Sequence, residues 1–234
     1  MTRYSCWKSL AAGAAAMLLL SGCGSVVGTT VAIRVVNCVS NAGGIDFVVG
    51  GTTYVADLGF SDLTTYGYIG TLTNNGATDV EGFQTGGTTI TIVGTQTLDL
   101  IQPVSTIVAS GVYGSSVAPP TFFLFTDNNT LPASGTVRIR AINASPDAGA
   151  LTFVEGTTPF AAGITYGMAS SYAVVSPGAL TFSVIQQGST VPLLTKTLVT
   201  TPTNQALMSQ HVYTVFFAGT QATGNYTLIV QEDL

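Results

Sequence analysis

The segment TVAIRVVNCVSNAGGIDFVVG, residues 30–50, recurs in altered form as TVRIRAINASPDAGALTFVEG at residues 136–156. At a fixed offset of 106 the two segments agree at ten of 21 positions without a gap. The correspondence continues beyond them, with four extra residues in the first copy around Asn74 and Asn75. A length change confined to an Asn/Gly-rich stretch is what a surface loop tolerates. We therefore predict a tandem duplication of one unit rather than a short-period solenoid.

The pattern within each copy is that of β-strands. Val137-Arg138-Ile139-Arg140 alternates apolar and charged residues, which is typical of a sheet with one face in water. Six further candidate strands follow in the second copy, at residues 150–156, 164–175, 179–187, 193–200, 211–218 and 226–233. About seven short strands per copy favour an immunoglobulin-like sandwich, although counting strands does not distinguish it from a closed barrel. No convincing amphipathic helix follows the N-terminal segment.

The predicted fold is therefore all-β, with two tandem immunoglobulin-like β-sandwich domains. The first domain is predicted at residues 30–130 and the second at residues 136–234. The short segment LPASG, residues 131–135, reads as the linker between them. Residues 1–22 are predicted to be a signal peptide, and residues 23–29 a lipidated N-terminus and tether.

The N-terminal segment has the order of a secretory signal. Arg3 and Lys8 precede the apolar run LAAGAAAMLLL at residues 10–20, which is too short to span a bilayer as a free-standing helix. The next motif, LSGC, ends at Cys23 and resembles the lipobox of bacterial lipoproteins. The alternative is an ordinary cleavage site beside a chance cysteine.

The lipobox resemblance implies that Cys23 is acylated and becomes the N-terminus of the mature protein. Several acyl chains hold a soluble domain at a membrane stably, whereas one chain binds only marginally. The next residue, Gly24, is not the Asp that often retains such proteins in the inner membrane. We therefore expect a lipid anchor in the bacterial cell envelope, on the periplasmic or surface face of the outer membrane.

The composition fits an extracytoplasmic β protein and argues against nucleic-acid binding. Charged residues make up 7% of the chain, against roughly 25% in typical soluble domains. After removal of the signal, four cations remain against 11 acids, a side-chain balance of −7. Phosphate neutralisation requires clustered basic residues, and this chain offers no such cluster.

The three cysteines leave no pair for a disulfide in the mature chain. Cys6 leaves with the signal and Cys23 is predicted to be lipidated, so only Cys38 remains as a free thiol. Cys38 aligns with Ala144 in the second copy. We therefore interpret it as a small buried residue rather than a nucleophile.

The search for catalytic and metal sites predicts none, and no cofactor. His211 is the single histidine, no nucleophile-elbow motif accompanies it, and we interpret it as a strand-edge residue. Asp127-Asn128-Asn129 and Asp79-Val80-Glu81 are the best calcium candidates, but neither has EF-hand spacing, and turns or solvated loops are the simpler interpretation. A hydrolase using His211 or paired carboxylates is the least favoured function.

Two further groups of residues have alternative interpretations. Arg34, Arg138 and Arg140 could contact a ligand, but outward side chains that pair with local acids and discourage edge-to-edge aggregation are the favoured hypothesis. Tyr66 and Tyr68 share one strand face and could form a sugar-stacking strip. Because Tyr66 aligns with Tyr172, core packing is the favoured interpretation of this pair.

The second copy also resembles a known family. A first strand ending in Asn143 to Ala148, then Gly156, Tyr172 and Gly178, is similar to the bacterial and archaeal family of domain of unknown function 4397. The first copy departs from this pattern, since Cys38-Val39-Ser40-Asn41 replaces Ala-Ser-Pro-Asp. The resemblance implies a β-sandwich of exported, often repeated, cell-surface proteins, and it implies no catalytic residue.

The sequence therefore predicts a non-catalytic, lipid-anchored envelope protein that displays two β-sandwich modules for surface interaction or adhesion. Its expected partners are the membrane, through the lipid on Cys23, and an unidentified envelope protein or polysaccharide. The alternative is a carbohydrate- or polymer-binding module that uses exposed aromatic residues.

Overall fold

The structure is a computed structural model of the 234-residue chain. It describes residues 30–70, 76–86, 90–178, 181–198 and 207–233. Within these residues the chain forms strands, turns and loops and contains no α-helix. Accordingly, the described part of the chain offers no helix with the length and apolar character needed to cross a membrane. The predicted signal peptide, Cys23, the tether at residues 23–29 and the Asn74-Asn75 loop lie outside the described residues.

The N-terminal half of the chain, residues 30–126, forms one mixed and one antiparallel sheet of four strands each. Its strands are β1 (Val31–Ser40), β2 (Ile45–Val49), β3 (Thr52–Leu58), β4 (Gly67–Ile69), β5 (Ala77–Gln84), β6 (Thr91–Asp99), β7 (Val104–Val112) and β8 (Thr121–Thr126). Sheet A has the order β4-β1-β7-β8, and sheet B has the order β3-β2-β5-β6.

The C-terminal half, residues 136–233, repeats this arrangement. Its strands are β9 (Val137–Asn143), β10 (Leu151–Glu155), β11 (Thr158–Ile164), β12 (Met168–Ala169), β13 (Ala173–Val175), β14 (Thr181–Gln186), β15 (Pro192–Thr197), β16 (Val212–Ala218) and β17 (Thr227–Glu232). Sheet C has the order β12-β9-β16-β17, with β13 also paired to β9, and sheet D has the order β11-β10-β14-β15.

The first strand of each half has an unusual parallel partner. β1 runs parallel to β7, with Ala32 opposite Val104, and β9 runs parallel to β16, with Arg138 opposite Val212. Parallel neighbours need a long crossover connection, and here the crossover is the passage of the chain through the other sheet of the same half. In each half, the chain therefore passes through the second sheet and then returns to pair with its own first strand.

The four sheets stack in the order B, A, C, D around three apolar clusters. One core lies between sheets A and B and contains Ile33 and Phe47, while its counterpart between sheets C and D contains Ile139 and Phe153. A third cluster lies between sheets A and C and includes Val36. Sheets A and C are thus covered on both faces, and every residue of β1 is buried. Strands buried on both faces read as nearly continuous apolar runs.

The all-β class and the sandwich arrangement predicted from the sequence are confirmed. In the second half, β11, Thr158–Ile164, was not predicted; it is largely exposed and has no regular alternation of apolar and polar residues. The prediction of one strand at residues 164–175 is wrong, because this segment forms two short strands, β12 and β13. The placement of two domain boundaries around residues 131–135 stays a prediction, although residues 127–136 contain no strand.

Asn37 and Asn143, which match in the two sequence segments, perform the same structural task. The Nδ2 of Asn37 donates to the carbonyl of Leu58, and that of Asn143 donates to the carbonyls of Gly149 and Ile164. Each side-chain oxygen accepts from the backbone two residues on. Buried polar groups must be paired, so these asparagines hold the loops that leave the first strand of each half.

Three glycines allow backbone paths that other residues resist. Gly50 and Gly51 have φ of 58° and 76° and join β2 to β3 in a two-residue turn of the primed type. Gly111, near the end of β7, has φ of 129°, and a Cβ there would lie 2.7 Å from the carbonyl oxygen of Pro119. The end of β7 can follow this path because residue 111 has no side chain.

We expect Gly111→Ala to lower the free energy of unfolding by about 1–3 kcal/mol, because the left-handed backbone and the contact with Pro119 both oppose a Cβ. Gly94→Ala is the matched control, since Gly94 lies on an exposed strand position with open space around it. Its effect should stay within about 0.5 kcal/mol. Urea unfolding of both variants measures the difference, and equal midpoints would contradict the assignment.

Candidate functional site

Two of the three predicted surface arginines are buried between the halves. Arg34 on β1 is 1% exposed, and its Nη1 lies 2.6 Å from Oδ1 of Asp233. Arg140 on β9 is 2% exposed and forms an ion pair with Asp127. The hypothesis of outward arginines is therefore wrong for both. The alternation of their strands correctly distinguishes two sheet faces, but the face that carries the arginines is covered by the other half of the chain.

The two ion pairs cross the interface in opposite directions. Arg34 belongs to the N-terminal half and Asp233 follows the last strand of the C-terminal half, whereas Arg140 and Asp127 have the reverse origins. The arginines are 106 residues apart in sequence, and so are the aspartates. The interface therefore has the form of a two-fold symmetric contact made within one chain.

Two threonines connect these pairs into one network. The Nε of Arg34 donates to Oγ1 of Thr106 at 2.8 Å, and this hydroxyl donates to Oδ2 of Asp127 at 2.6 Å. The equivalent arrangement in the other half joins Arg140 to Thr214 at 3.0 Å and Thr214 to Asp233 at 2.6 Å. We call these six residues the crossed ion-pair network.

Tyrosine rings enclose the network. The guanidinium carbon of Arg34 lies 4.9 Å from the ring centre of Tyr66, and that of Arg140 lies 5.0 Å from the ring centre of Tyr172. The phenol of Tyr66 donates to Oδ2 of Asp127 at 2.7 Å. Burial raises the pKa of Tyr66 against the opposing effect of the Arg34 charge, so the phenol keeps its proton.

The charge of Arg34 is maintained despite its burial. Burial alone would lower the pKa of the guanidinium, but the carboxylates of Asp233 and Asp127 raise it overall. Two positive and two negative side chains then share one buried site and pair with one another. A small pocket of about 110 Å³ borders Arg34 and Asp233.

Arg138 differs from the other two arginines. Its Nη1 donates to the carbonyl of Thr130 at 2.8 Å, and its guanidinium carbon lies 4.6 Å from the ring centre of Tyr172. It is partly exposed but contacts backbone and an aromatic ring instead of the local acids that we expected. It braces the segment between β8 and β9 against the C-terminal half.

An apolar seam surrounds the crossed ion-pair network. The seam is formed by residues of the central strands of sheets A and C and the loop after β9, namely Val36, Cys38 and Val108 with Ile142, Ala144, Phe216 and Ala218. The edge of the seam includes Tyr166, whose ring meets that of Phe123 edge-on at 5.1 Å. Water is thereby kept from the charges, which strengthens their attraction.

Cys38 lies in this seam, as the comparison with Ala144 predicted. The thiol is free and 1% exposed, and burial raises its pKa to about 12. The thiolate, not the thiol, is the reactive form, so this position is inert near neutral pH.

The search for other chemistry in the described residues gives no reactive set. Nδ1 of His211 lies 2.8 Å from Oε1 of Glu232 at the start of β16, and no hydroxyl or thiol of a described residue bonds the ring. No cluster of three or more His, Cys, Asp or Glu side chains suited to a metal occurs in the described part.

Both calcium candidates make protein contacts, and Asp79-Val80-Glu81 lies within strand β5, so its interpretation as a turn or solvated loop is wrong. Asp79 accepts from the hydroxyl of Thr97 at 2.6 Å and Glu81 accepts from Thr95 on the neighbouring strand β6. Asp127 is buried in the crossed ion-pair network, so the interpretation of residues 127–129 as a solvated loop is wrong for its first residue.

The two tyrosines of the suggested strip have different surroundings. Tyr66 packs over Arg34 at the interface, whereas Tyr68 on β4 is 80% exposed. The interpretation of the pair as core residues is therefore wrong for Tyr68. Among the described residues, β4 is an edge strand that pairs with β1, and Tyr68 projects from it into solvent.

Tyr68 stands at the rim of a groove of about 500 Å³. The groove runs between the edge strand β4 and the β2–β3 hairpin, and its lining includes Gly50, Thr52, Thr53, Tyr54, Tyr68 and Thr78. None of the described residues that line it carries a charged side chain. The volume lies within the range of roughly 300–1,000 Å³ typical of small-ligand sites.

Sequence reasoning missed the threonines and aspartates of the crossed ion-pair network. The signal was present, because Asp127 and Asp233 keep the same offset of 106 as Arg34 and Arg140. The family-pattern residues have structural tasks: Tyr172 covers two arginines, and Gly156 and Gly178 have φ of 58° and 94° in turns.

Comparison with known proteins gives one family. The model of the domain of unknown function DUF4397 matches residues 31–154. No curated protein sequence matches the chain. A crystal structure of a candidate cell adhesion protein from Bacteroides uniformis ATCC 8492 is similar at 10% identity, covering 88% of this chain and 100% of that chain. Its TM-score of 0.27 is too low to carry an argument.

We expect Arg34→Met to lower the free energy of unfolding by about 3–5 kcal/mol, because it leaves the carboxylate of Asp233 buried without its partner. The double variant Arg34→Met/Asp233→Leu should regain much of this loss. Arg138→Met is the control and should change stability by less than about 1 kcal/mol, since it removes no buried ion pair. Chemical denaturation measures all three variants, and an equal effect of Arg34→Met and Arg138→Met would contradict the network.

We expect the Cys38 thiol to resist disulfide reagents at pH 8 in the folded protein and to react fully after unfolding. The measurement uses a chain with Cys6→Ser and Cys23→Ser, in which Cys38 is the single thiol. Cys38→Ala should be well tolerated, as Ala144 stands at the equivalent place, whereas Cys38→Ser buries a hydroxyl and should destabilise more. Rapid labelling of the folded chain would contradict the burial.

Proposed function

Because the chain belongs to the DUF4397 family, whose description assigns no function, we propose a role from the residues themselves. The protein is a non-catalytic, lipid-anchored component of the bacterial cell envelope. It displays two β-sandwich modules, copies of one unit at residues 30–130 and 136–234, for surface interaction or adhesion. The lipid on Cys23 holds it at the outer membrane.

The observation that carries this proposal is that most of the basic residues join the two halves of the chain to each other. Three of the four cations of the mature chain, Arg34, Arg138 and Arg140, serve to join and brace the two halves. Enzymes arrange titratable groups in a cleft where they reach substrate. Here the buried titratable groups neutralise one another, which favours a scaffold that presents surfaces.

The rigid stack of sheets also suits display. The interface between sheets A and C combines an apolar seam with internally paired charges. Modules joined in this way keep a fixed relation to each other, whereas modules on a flexible tether do not. A fixed pair presents its loops and edge strands as one surface at the end of the short tether from Cys23.

We expect Cys23→Ala to abolish acylation, because the modified atom is the thiol of this residue. Growth with an alkyne-bearing fatty acid, followed by click labelling of the purified protein, measures the modification. Cys38→Ala is the matched control and should be labelled as strongly as the wild type, since that thiol is buried. Label that persists in Cys23→Ala, or an unlabelled wild type, would sink the lipoprotein assignment.

Cell fractionation and cross-linking in the same strains extend this test to the display role. The mature chain has a single lysine, Lys196, but many carboxylates, so carbodiimide coupling to partner amines is the suitable reaction. Conjugates with envelope components should form with the wild type and decrease with Cys23→Ala. Equal conjugates in both strains would count against anchored display.

A further inference from the structure

We infer that the groove beside Tyr68 is a binding site for a neutral polysaccharide chain. This inference deepens the proposed surface role and rests on it for its biological setting. The binding itself requires neither the lipid nor a membrane, so the two can fail separately. The inference is supported by the shape of the groove, the chemistry of its lining and the contrast between the two halves.

The groove is open to solvent and is bordered on two sides, which allows a chain to lie in it. One side is the edge strand β4 with Ile69 and Tyr68, and the other is the hairpin with Thr52 and Thr53. Thr52 and Thr53 are exposed, whereas Tyr54 is half-buried at the base. A polymer lying along β4 would contact both sides and leave the groove at either end.

The lining selects for a neutral, hydroxyl-rich ligand. The protein is acidic, yet no described residue that lines this groove carries a charged side chain. The phenol and threonine hydroxyls donate and accept hydrogen bonds, as sugar hydroxyls do. An anionic polymer would find no cation here and would be repelled by the net negative charge.

Tyr68 supplies the surface on which a sugar ring can stack. Its ring is 80% exposed, so its face is accessible to a ligand. The pyranose face of a sugar carries C–H groups that pack on an aromatic ring, and the phenol adds a hydrogen bond at the edge. Both properties match a single exposed tyrosine at the mouth of a polar groove.

Tyr54 has a different task, which makes it unsuitable as a test position. Its hydroxyl donates to the carbonyl of Ile33 on β1. A Cβ on Gly67 would lie 2.5 Å from this hydroxyl, so the glycine allows the ring to reach across. Tyr54 therefore forms the fixed base of the groove, and its removal would disturb β1 as well.

The equivalent positions in the second half of the chain lack several groups of the Tyr68 groove. At the offset of 106, Phe160 replaces Tyr54, Pro159 replaces Thr53 and Val174 replaces Tyr68. Val174 is also exposed, at 65%, so the backbone position is equivalent in its access to water. Glu155 stands where the first half has Val49. Thr158 keeps the hydroxyl of Thr52, but the hydroxyls of Thr53 and Tyr54 and the aromatic platform are specific to the N-terminal half.

The test is affinity electrophoresis of the full mature chain carrying Cys23→Ala, run in native gels that contain a neutral polysaccharide. Laminarin, dextran, soluble starch and arabinoxylan are the probes, and alginate is the anionic comparison. We expect at least one neutral polymer to retard the protein. Tyr68→Ala should weaken this binding at least tenfold, whereas Tyr68→Phe should retain most of it because the ring remains.

Val174→Ala is the matched control, because it shortens an equally exposed side chain at the equivalent place in the other half. It should leave the retardation unchanged, and all variants should keep the wild-type Tm. The inference is overturned if none of the four neutral polymers retards the protein, if Tyr68→Ala binds as well as Val174→Ala, or if alginate alone is bound. None of these results bears on acylation of Cys23, which the labelling experiment tests separately.

Discussion

Two ion pairs that cross between the halves of the chain determine how the rest of the molecule is arranged. Arg34 reaches Asp233, Arg140 reaches Asp127, and Thr106 and Thr214 connect the two pairs. Removing a charge from water costs several kcal/mol even after relaxation, so each pair is favourable only with its full set of partners. A shift of one residue along β1 would bring an apolar side chain to the position of Arg34 and leave a carboxylate unpaired. The alignment of sheet A against sheet C is therefore specified by charge, and the apolar seam packs around the charged groups.

The two-fold character of this contact has a physical origin in the repeated sequence. A patch that contains Arg34 near Asp127 is self-complementary, since a second copy turned by half a rotation places each arginine against the other copy's aspartate. The chain supplies both copies itself, so the association is intramolecular and does not depend on protein concentration. The groove at Tyr68 lies outside this shared patch, where the halves are free to differ. The residues of the Tyr68 groove can therefore differ between the halves, whereas those of the interface between sheets A and C must match.

The sequence predicted the strand-rich fold because its signals are local. Alternation and glycine turns each depend on a few neighbouring residues, and the repeat at an offset of 106 shows the same local signals twice. What covers a sheet face is not local, and for that reason Arg34 and Arg140 were expected in water. Asp233 lies 199 positions beyond Arg34, and no pattern within a strand indicates such a partner. β11 was missed for a related reason, since an exposed strand needs no apolar alternation. The burial of Cys38 could be predicted because Ala144 reports on the same place in the other copy.

The position of β1 also determines how the protein would respond to a pulling force. β1 is the first strand after the predicted tether, and it is bonded to β4 on one side and to β7 on the other. Its pairing with β7 extends over nine consecutive positions, from Ala32 to Ser40, with both strands running in the same direction. A load applied at the N-terminal end acts along the strand and shears these hydrogen bonds together instead of opening them one by one. Forced unfolding depends on the rate of passing that barrier, so the long parallel pairing of β1 with β7 gives the chain mechanical resistance to a load applied at its N-terminal end.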